Sequence, residues 1–283
     1  AAVGCKTNGG GSDAGQGGSG VVGQSGGGPG GAATAGGAAG ASAASGGAAA
    51  GTGGGAGRGG AVGSGGSGCE GGFGGAIVSG GPVTLAGVMN ARHTGGLPTC
   101  SGQWVRPEVL IRSGHLANLE AAGCTDLQTL AVNTVLDLRS ASEAADTPDA
   151  DCVVSATRHT IVDLPRVLPP SSSSYLQTLD ATEPKLPTLF AELGADGALP
   201  ALMHCVIGRD RANLVMIVVL LALGVPESYV VADFLDNQDA TVDAAWLDGV
   251  LERIAQAGGI DAYLSAHGVQ SEDLARLRAA ALE

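Results

Sequence analysis

Large apolar side chains are almost absent from the first 84 residues and then recur in short, ordered runs to the end of the chain. Residues 83–88 predict a first short strand, and Gly95-Gly96-Leu97-Pro98 predicts a turn. Val109-Leu110-Ile111-Arg112 reads as a strand, and 116–130 as a helix broken at Gly123, with Leu116, Leu119, Leu127 and Leu130 near the helical period. A strand over 134–139 ends at Ser140, and Ser142-Glu143-Ala144 starts a turn or helix. The β-branched run 159–164 is a strand closed by Pro165, and 171–193 is helical with interruptions at Pro184 and Pro187. Ala201-Leu202-Met203-His204 is a short buried strand, followed by an apolar helix over 211–223 that Gly224 closes. Helices follow at 226–236, 241–257, 260–266 and 272–282, the last capped by Ser271. Strands alternating with helices predict an α/β fold with a parallel or mixed central sheet, flanking helices and a helical C-terminal third.

Composition divides the chain near residue 84. Residues 1–84 hold 36 of the 50 glycines, most of the rest being Ala and Ser. Such a segment buries too little surface to offset the entropy of ordering it, so a disordered tether is expected over 1–84 and one domain over 85–283. Gly-x-Gly-x-x-Gly matches in that tether carry no meaning, because no strand or helix flanks them. Lys6 and Arg58 cancel Asp13 and Glu70, so the net charge of −13 lies on 85–283. An acidic domain of this kind argues against nucleic acid as a partner. The longest apolar run, 214–225, is too short to span a bilayer and reads as a buried helix.

The informative stretch is Met203-His204-Cys205-Val206-Ile207-Gly208-Arg209-Asp210-Arg211, between a buried strand and a buried helix. A phosphate at a helix N-terminus meets free N–H donors and the positive end of the macrodipole. If the five residues between Cys205 and Arg211 curl into a nest, their N–H groups converge on one anion, and Gly208 supplies the backbone freedom for the curl. Arg211 can grip two phosphate oxygens in a fork, and the same field favours a Cys205 thiolate. A thiolate beneath a bound phosphate can attack phosphorus, giving a phosphocysteine that water hydrolyses. His204 is placed to orient the loop, and Val206, Ile207, Gly208 and Arg209 complete the candidate phosphate site.

This Cys-x-x-x-x-x-Arg pattern resembles the signature of the protein-tyrosine phosphatase superfamily. The stretch HCVIGRDRANLVMIVVLLALGV is similar to the bacterial branch whose loop reads His-Cys-x-x-Gly-Lys-Asp-Arg-Thr-Gly. NARHTGGLPTCSGQWVRPEVLIRSGHL, TVLDLRSASE and the segment from Tyr263 to Leu282 resemble further parts of that family, so the likeness covers about residues 85–283. The resemblance implies a phosphatase fold, Cys205 as nucleophile, Arg211 as phosphate ligand, Arg209 as a second cation where the family has Lys, and Asp210 as candidate general acid. It also implies activity on phosphotyrosine, and in some relatives on phosphoserine, phosphothreonine or phosphoinositides. Rhodaneses and phosphatase-like arsenate reductases also carry a reactive Cys on an anion-binding loop. The His-Cys opening with Asp-Arg before the helix, and the loop's late place in the chain, set this sequence apart from them.

A leaving alkoxide needs a proton, and three aspartates compete to give it. Asp210 ranks first and Asp163, in VDLP, second; Asp137 more plausibly pairs with Arg139. Arg112 is either a substrate ligand or half of a buried ion pair. Two positions depart from the family: Ala212-Asn213 follows Arg211 where Thr/Ser-Gly is usual, and His93-Thr94 replaces Asp-Leu. The lost hydroxyl at 212 should slow phosphocysteine hydrolysis, and it leaves open a catalytically weak phosphoprotein-binding module as the alternative to an enzyme. A phosphorylated protein or small phosphate ester is the expected partner, for a monomer without cofactor. Zinc-type spacings such as Cys-x-x-Cys are absent.

The chain opens AAVGC, without Met, which predicts a removed leader, and Ala2-Val3-Gly4-Cys5 resembles a bacterial lipobox with Cys5 as the lipidated residue. An exported, lipid-anchored envelope protein is then expected, with a cytoplasmic protein as the alternative. Export would let Cys69, Cys100, Cys124 and Cys152 form two disulfides, with three connectivities open; in a cytosolic protein they would be free thiols.

Overall fold

The computed structural model describes residues 80–237 and 242–283. Cys5, Cys69 and the rest of the expected tether up to residue 79 lie outside them. Five strands form one mixed sheet: β1 (Arg92–His93), β2 (Leu110–Ser113), β3 (Thr134–Asp137), β4 (Arg158–Ile161) and β5 (Ala201–His204), in the order β1-β2-β5-β3-β4. β1 runs antiparallel to β2, and the other pairs are parallel. β5 is therefore central, with β2 and β3 on either side and its last residue, His204, level with Ser113 and Asp137.

The period-two alternation of the strands separates two cores. Ile111, Val135 and Leu202 face Leu116, Leu119, Leu127 and Val153, on the side of α1 (Ala121–Thr129) and α3 (Asp151–Ala156). Leu110, Leu136, Ala201 and Met203 face the larger core, built by α4 (Ser172–Thr182) and α5 (Leu186–Leu193) together with the C-terminal helices. Those are α6 (Arg211–Ala222), α7 (Glu227–Leu235), α8 (Asp248–Gln256), α9 (Ile260–Ala266) and α10 (Ser271–Ala281). All twelve residues of α6 are buried, as a helix that is apolar all round requires. Among the described residues no helix is long and apolar enough to cross a membrane.

Several boundaries differ from expectation for local reasons. Residues 83–88 form no strand; Val83 N–H bonds Ala91 C=O, and only Pro82 makes a β-bridge, to Arg92. The described residues 80 and 81 are tied to β1: Arg92 donates to Gly80 C=O, His93 N–H donates to Gly81 C=O, and the Gly81 and Gly95 N–H groups meet the His93 ring nitrogens at 3.2 Å. Gly123 lies inside α1 and does not break it; a Cβ there would stand 2.5 Å from Ala86 C=O. Ser271 does not cap α10, whose N-cap is Gln270. α2 (Ala141–Asp146) is set by a capping box in which Ser140 Oγ accepts from Glu143 N–H and the Glu143 carboxylate accepts from Ser140 N–H.

Of the open disulfide connectivities, Cys124–Cys152 is formed and joins α1 to α3 across a sequence separation of 28. Cys100 is also disulfide-bonded, and among the described residues Cys205 is the free cysteine. Closing a loop of that length restricts the unfolded chain, so replacing both Cys124 and Cys152 by Ala should cost about 2–4 kcal/mol. Urea unfolding under non-reducing conditions measures it as a lowered midpoint. A midpoint equal to that of the wild type would mean that this bond does not constrain the native protein.

Candidate active site

The central strand β5 delivers His204 and then Cys205 to the C-terminal edge of the sheet, where ligands of parallel sheets collect. Cys205 is 2% exposed, and its N–H approaches Ser113 C=O at 3.4 Å. The chain then turns through 206–210 before α6 starts at Arg211. Gly208 has φ +72°, and a Cβ there would lie 2.5 Å from the Ser113 carbonyl carbon, so the turn admits only glycine. Among the described residues, no N–H of Val206 to Asp210 has a protein acceptor. The loop thus offers a row of donors beside a sulfur at a helix N-terminus, an arrangement suited to an anion.

Arg211 is held from two directions. Its Nη1 donates to Glu143 Oε2 at 2.6 Å and to Leu164 C=O at 2.9 Å, and its Nη2 to Glu143 Oε1 at 3.1 Å. Burial alone would raise the Glu143 carboxyl, but the bonds from Arg211 and Ser140 outweigh it and hold it at about 2. Glu143 is therefore both a helix cap and the holder of Arg211. Sequence reading placed it only at a turn or helix start; the signal was the capping-box spacing Ser140-x-x-Glu143.

A cleft opens over the sulfur, lined by Cys205, Val206, Ile207, Arg209, Asp210 and Arg211, with Arg166, Val167, Leu168 and Thr178 completing it. Asp210 precedes α6 but makes no side-chain cap; its oxygens instead receive Arg209 Nε at 2.9 Å and Arg209 Nη2 at 3.1 Å. Asp163 is not part of the lining. Its Oδ1 accepts from Ala141 N–H at 2.9 Å, and its φ of +62° marks a tight turn before Leu164. The structure thus brings Asp210, Arg209, Val206, Ile207, Cys205 and Arg211 together and leaves Asp163 at the start of α2. Arg166 was missed: an exposed cation in a loop carries no sequence signal until the fold brings it to the cleft.

His204 lies behind the loop and does not line the cleft, and Gly208 offers the loop only its backbone. His204 is fully buried, with Nε2 3.0 Å from Asp149 Oδ2, outside hydrogen-bond alignment, and 3.8 Å from Asp137 Oδ1. Arg139 donates from Nε and Nη2 to the two oxygens of Asp137, from Nη2 also to Asp149 Oδ1 at 2.9 Å, and from Nη1 to Thr147 C=O at 2.7 Å. The expected Asp137–Arg139 pair is present. Burial would raise the Asp149 carboxyl, but His159, His204 and Arg139 together hold it well below the usual carboxylate range. The donor atoms of Asp137, Asp149, His159 and His204 lie within 4.8 Å of one another, with the Arg139 guanidinium balancing the two carboxylates. Arg112 is fully buried behind the loop, donating from Nη1 to Gly208 C=O at 3.3 Å and from Nη2 to Asp236 C=O at 3.1 Å. Asn213 gives its amide to Phe234 C=O at 3.4 Å.

Residues 83–283 match the tyrosine phosphatase family. A Cupriavidus necator protein that carries a tyrosine-protein phosphatase name is 28% identical over 193 residues, covering 63% of this chain and 70% of its own. A tyrosine-protein phosphatase of Nostoc commune is 26% identical over 227 residues, covering 64% and 76%. The triple specificity protein phosphatase of Mycobacterium tuberculosis is 29% identical over 196 residues, covering 55% and 69%.

The Glu143 carboxyl carries a pH signature. Its folded value, about 2, lies below the ordinary 4.5, so its contribution to stability is fully present above pH 4.5 and is lost as pH falls toward 2. Glu143→Gln should be less stable than the wild type at neutral pH, and the gap should close through that acidic window. Urea midpoints measured across pH test this; a gap independent of pH would mean that the Arg211 bond does not hold the carboxyl down.

Proposed function

The chain belongs to the tyrosine phosphatase family, a family of cysteine-dependent phosphoric monoester hydrolases, and from that premise we propose how its own residues perform the reaction. The observation that carries the proposal is the donor row of Val206 to Asp210, unclaimed by protein acceptors, with Cys205 at its base and Arg211 at its end. The phosphoryl group of a monoester sits on these N–H groups with Arg211 on its oxygens. Cys205 Sγ attacks phosphorus, the P–O bond to the leaving group breaks, and Asp210 gives that oxygen its proton. Water then attacks the phosphocysteine, its proton passes to Asp210, and the P–S bond breaks to return the thiolate. Asp210 lines the cleft and Asp163 does not, its carboxylate lying at the N-terminus of α2; this position supports Asp210 as the acid and Asp163 as a cap.

Phosphotyrosine is the substrate class that the family name supports. Phosphoserine, phosphothreonine and phosphoinositide esters are a wider proposal, resting on likeness to the triple specificity relative. The alternative of a weak phosphoprotein-binding module is not favoured, because nucleophile, cradle and Arg211 are all present. An exported protein is proposed as well: the Cys124–Cys152 bond and the bonded Cys100 suit an oxidising compartment. Anchoring through Cys5 follows as part of that proposal, and labelling with a palmitate analogue, lost in Cys5→Ala, tests it.

Turnover of an aryl phosphate provides two tests. Cys205→Ser should lose at least about a thousandfold in kcat, and Arg211→Lys about a hundredfold or more, since an ammonium cannot reproduce the fork. Near-normal turnover by Cys205→Ser would sink the assignment. The second test concerns Ala212, which leaves the departing thiolate without a neighbouring hydroxyl. A hydrogen bond to an ionised group is worth about 1.5–3 kcal/mol, or about tenfold to a hundredfold in the second step. A burst of product should precede slow turnover, and Ala212→Thr should raise kcat while leaving the burst rate nearly unchanged. No burst, with kcat unaltered in Ala212→Thr, would show that the hydroxyl is not needed here.

A further inference from the structure

The carbonyl oxygens of the Cys205 loop are tied from outside, one after another, by donors from separate parts of the fold. Val206 C=O accepts from His115 N–H at 3.1 Å, and Ile207 C=O from Asn90 Nδ2 at 3.2 Å. Gly208 C=O accepts from Arg112 Nη1 at 3.3 Å, and Arg209 C=O from the Tyr175 hydroxyl at 3.3 Å. A trans peptide is planar, with its C=O and the following N–H pointing in opposite directions. Drawing the carbonyls of residues 206–209 outward therefore turns the N–H groups of residues 207–210 toward the cleft. No element within the loop fixes this orientation, because its residues form no helix or strand.

We propose that Asn90, Arg112 and Tyr175 are positioning residues of the phosphate cradle: they touch no substrate, and they set oxyanion affinity through the carbonyls they hold. The proposal rests on the reading of the Cys205 loop as that cradle. Each residue is built for the task. Asn90 takes φ +55°, a left-handed conformation that Asn tolerates, and its Nδ2 is steadied by Asn237 Oδ1 at 2.8 Å. The Arg112 guanidinium, buried beside the Asp233 carboxylate, spans the loop and the end of α7 through Gly208 and Asp236 carbonyls, a span that needs a planar fork. Tyr175, 2% exposed, is wedged edge-on against Phe234 at 5.6 Å and tilted on Trp246 at 5.7 Å, so its hydroxyl has one place to point. Arg112 is thereby assigned neither as a substrate ligand nor as a simple ion pair.

Tungstate binding, measured by calorimetry on the full chain, tests the proposal in Tyr175→Phe and Asn90→Gly. The first keeps the ring packing, and the second keeps the left-handed backbone open to it. Each loses one carbonyl brace and should bind tungstate about two- to tenfold more weakly. In the double variant the factors should nearly multiply, since the two residues hold different carbonyls from different elements. A purely structural role would lower the thermal midpoint or the binding stoichiometry and leave Kd at the wild-type value in the molecules that remain folded. An unchanged Kd in both variants overturns the proposal. The underlying reading fails separately: near-normal turnover of an aryl phosphate by Cys205→Ser would remove the cradle itself, whereas an inactive Cys205→Ser with unchanged tungstate affinities in the braces would remove only the positioning role.

Discussion

The buried guanidinium of Arg139 is the constraint on which the site depends. Two carboxylates, Asp137 and Asp149, are fully buried at the ends of β3 and the loop before α3, and neither can stay there ionised without a partner. Arg139 supplies that partner and gives a further donor to Thr147 C=O. Removing one member of such a cluster leaves an uncompensated buried charge, a loss of about 3–5 kcal/mol, although assembling it gains little over an apolar core. Its value therefore lies in geometry more than in stability. Asp149 stands against the ring of His204, and His204 immediately precedes Cys205, so this cluster packs directly behind the turn that carries the sulfur.

The same short segment also governs the other end of the loop. Asp137, Arg139, Ser140 and Glu143 follow one another from the end of β3 into α2. The first two belong to the buried charge cluster packed near the His204 ring; the second two form the capping box whose carboxylate holds Arg211. A single strand-to-helix turn thus fixes both the start and the finish of the Cys205–Arg211 loop. Rigid support from secondary structure of this kind is what an irregular loop needs if its donors are to stand ready for a charge before it arrives. The net charge of −13 does not oppose this. Carboxylates beyond about 8–10 Å are screened at physiological salt, while Arg166, Arg209 and Arg211 and the loop dipoles act at contact distance.

The loop itself was legible because its requirements are local: a buried strand, a cysteine, a glycine at the one positive-φ position of the loop and a helix apolar on every side. Strand and helix order followed from periodicity, and the helical C-terminal third packs on one face as expected. What escaped were features that arise from meetings between distant segments. α3 is six residues long, too short for a period to show, and it is defined by its disulfide and by Val153 in the second core. Asp163 ranked second as a candidate acid in the predicted strand 159–164, but its left-handed backbone turns the carboxylate onto the N-terminus of α2, which lies far away in sequence. Arg166 was not singled out, and Asn90 stood only within a segment that resembles the family; the proximity of both to the Cys205 loop exists only after folding.

The departure at Ala212-Asn213 acquires a physical meaning in this setting. Ala212 is wholly enclosed and Asn213 is turned to the carbonyl of Phe234, so neither approaches the sulfur with a donor as the chain is folded. The hydroxyl of the adjacent Ser113 is also spent, on Gly114 C=O at 2.8 Å. In the proposed reaction, stabilisation of the departing thiolate would fall to the terminus of α6 and the loop N–H groups, which would serve the bound phosphoryl group equally well. Donors shared by ground state and product lower the barrier of neither step selectively. On the proposed reading, the loop binds and captures a phosphoryl group with no hydroxyl at position 212 to speed its release.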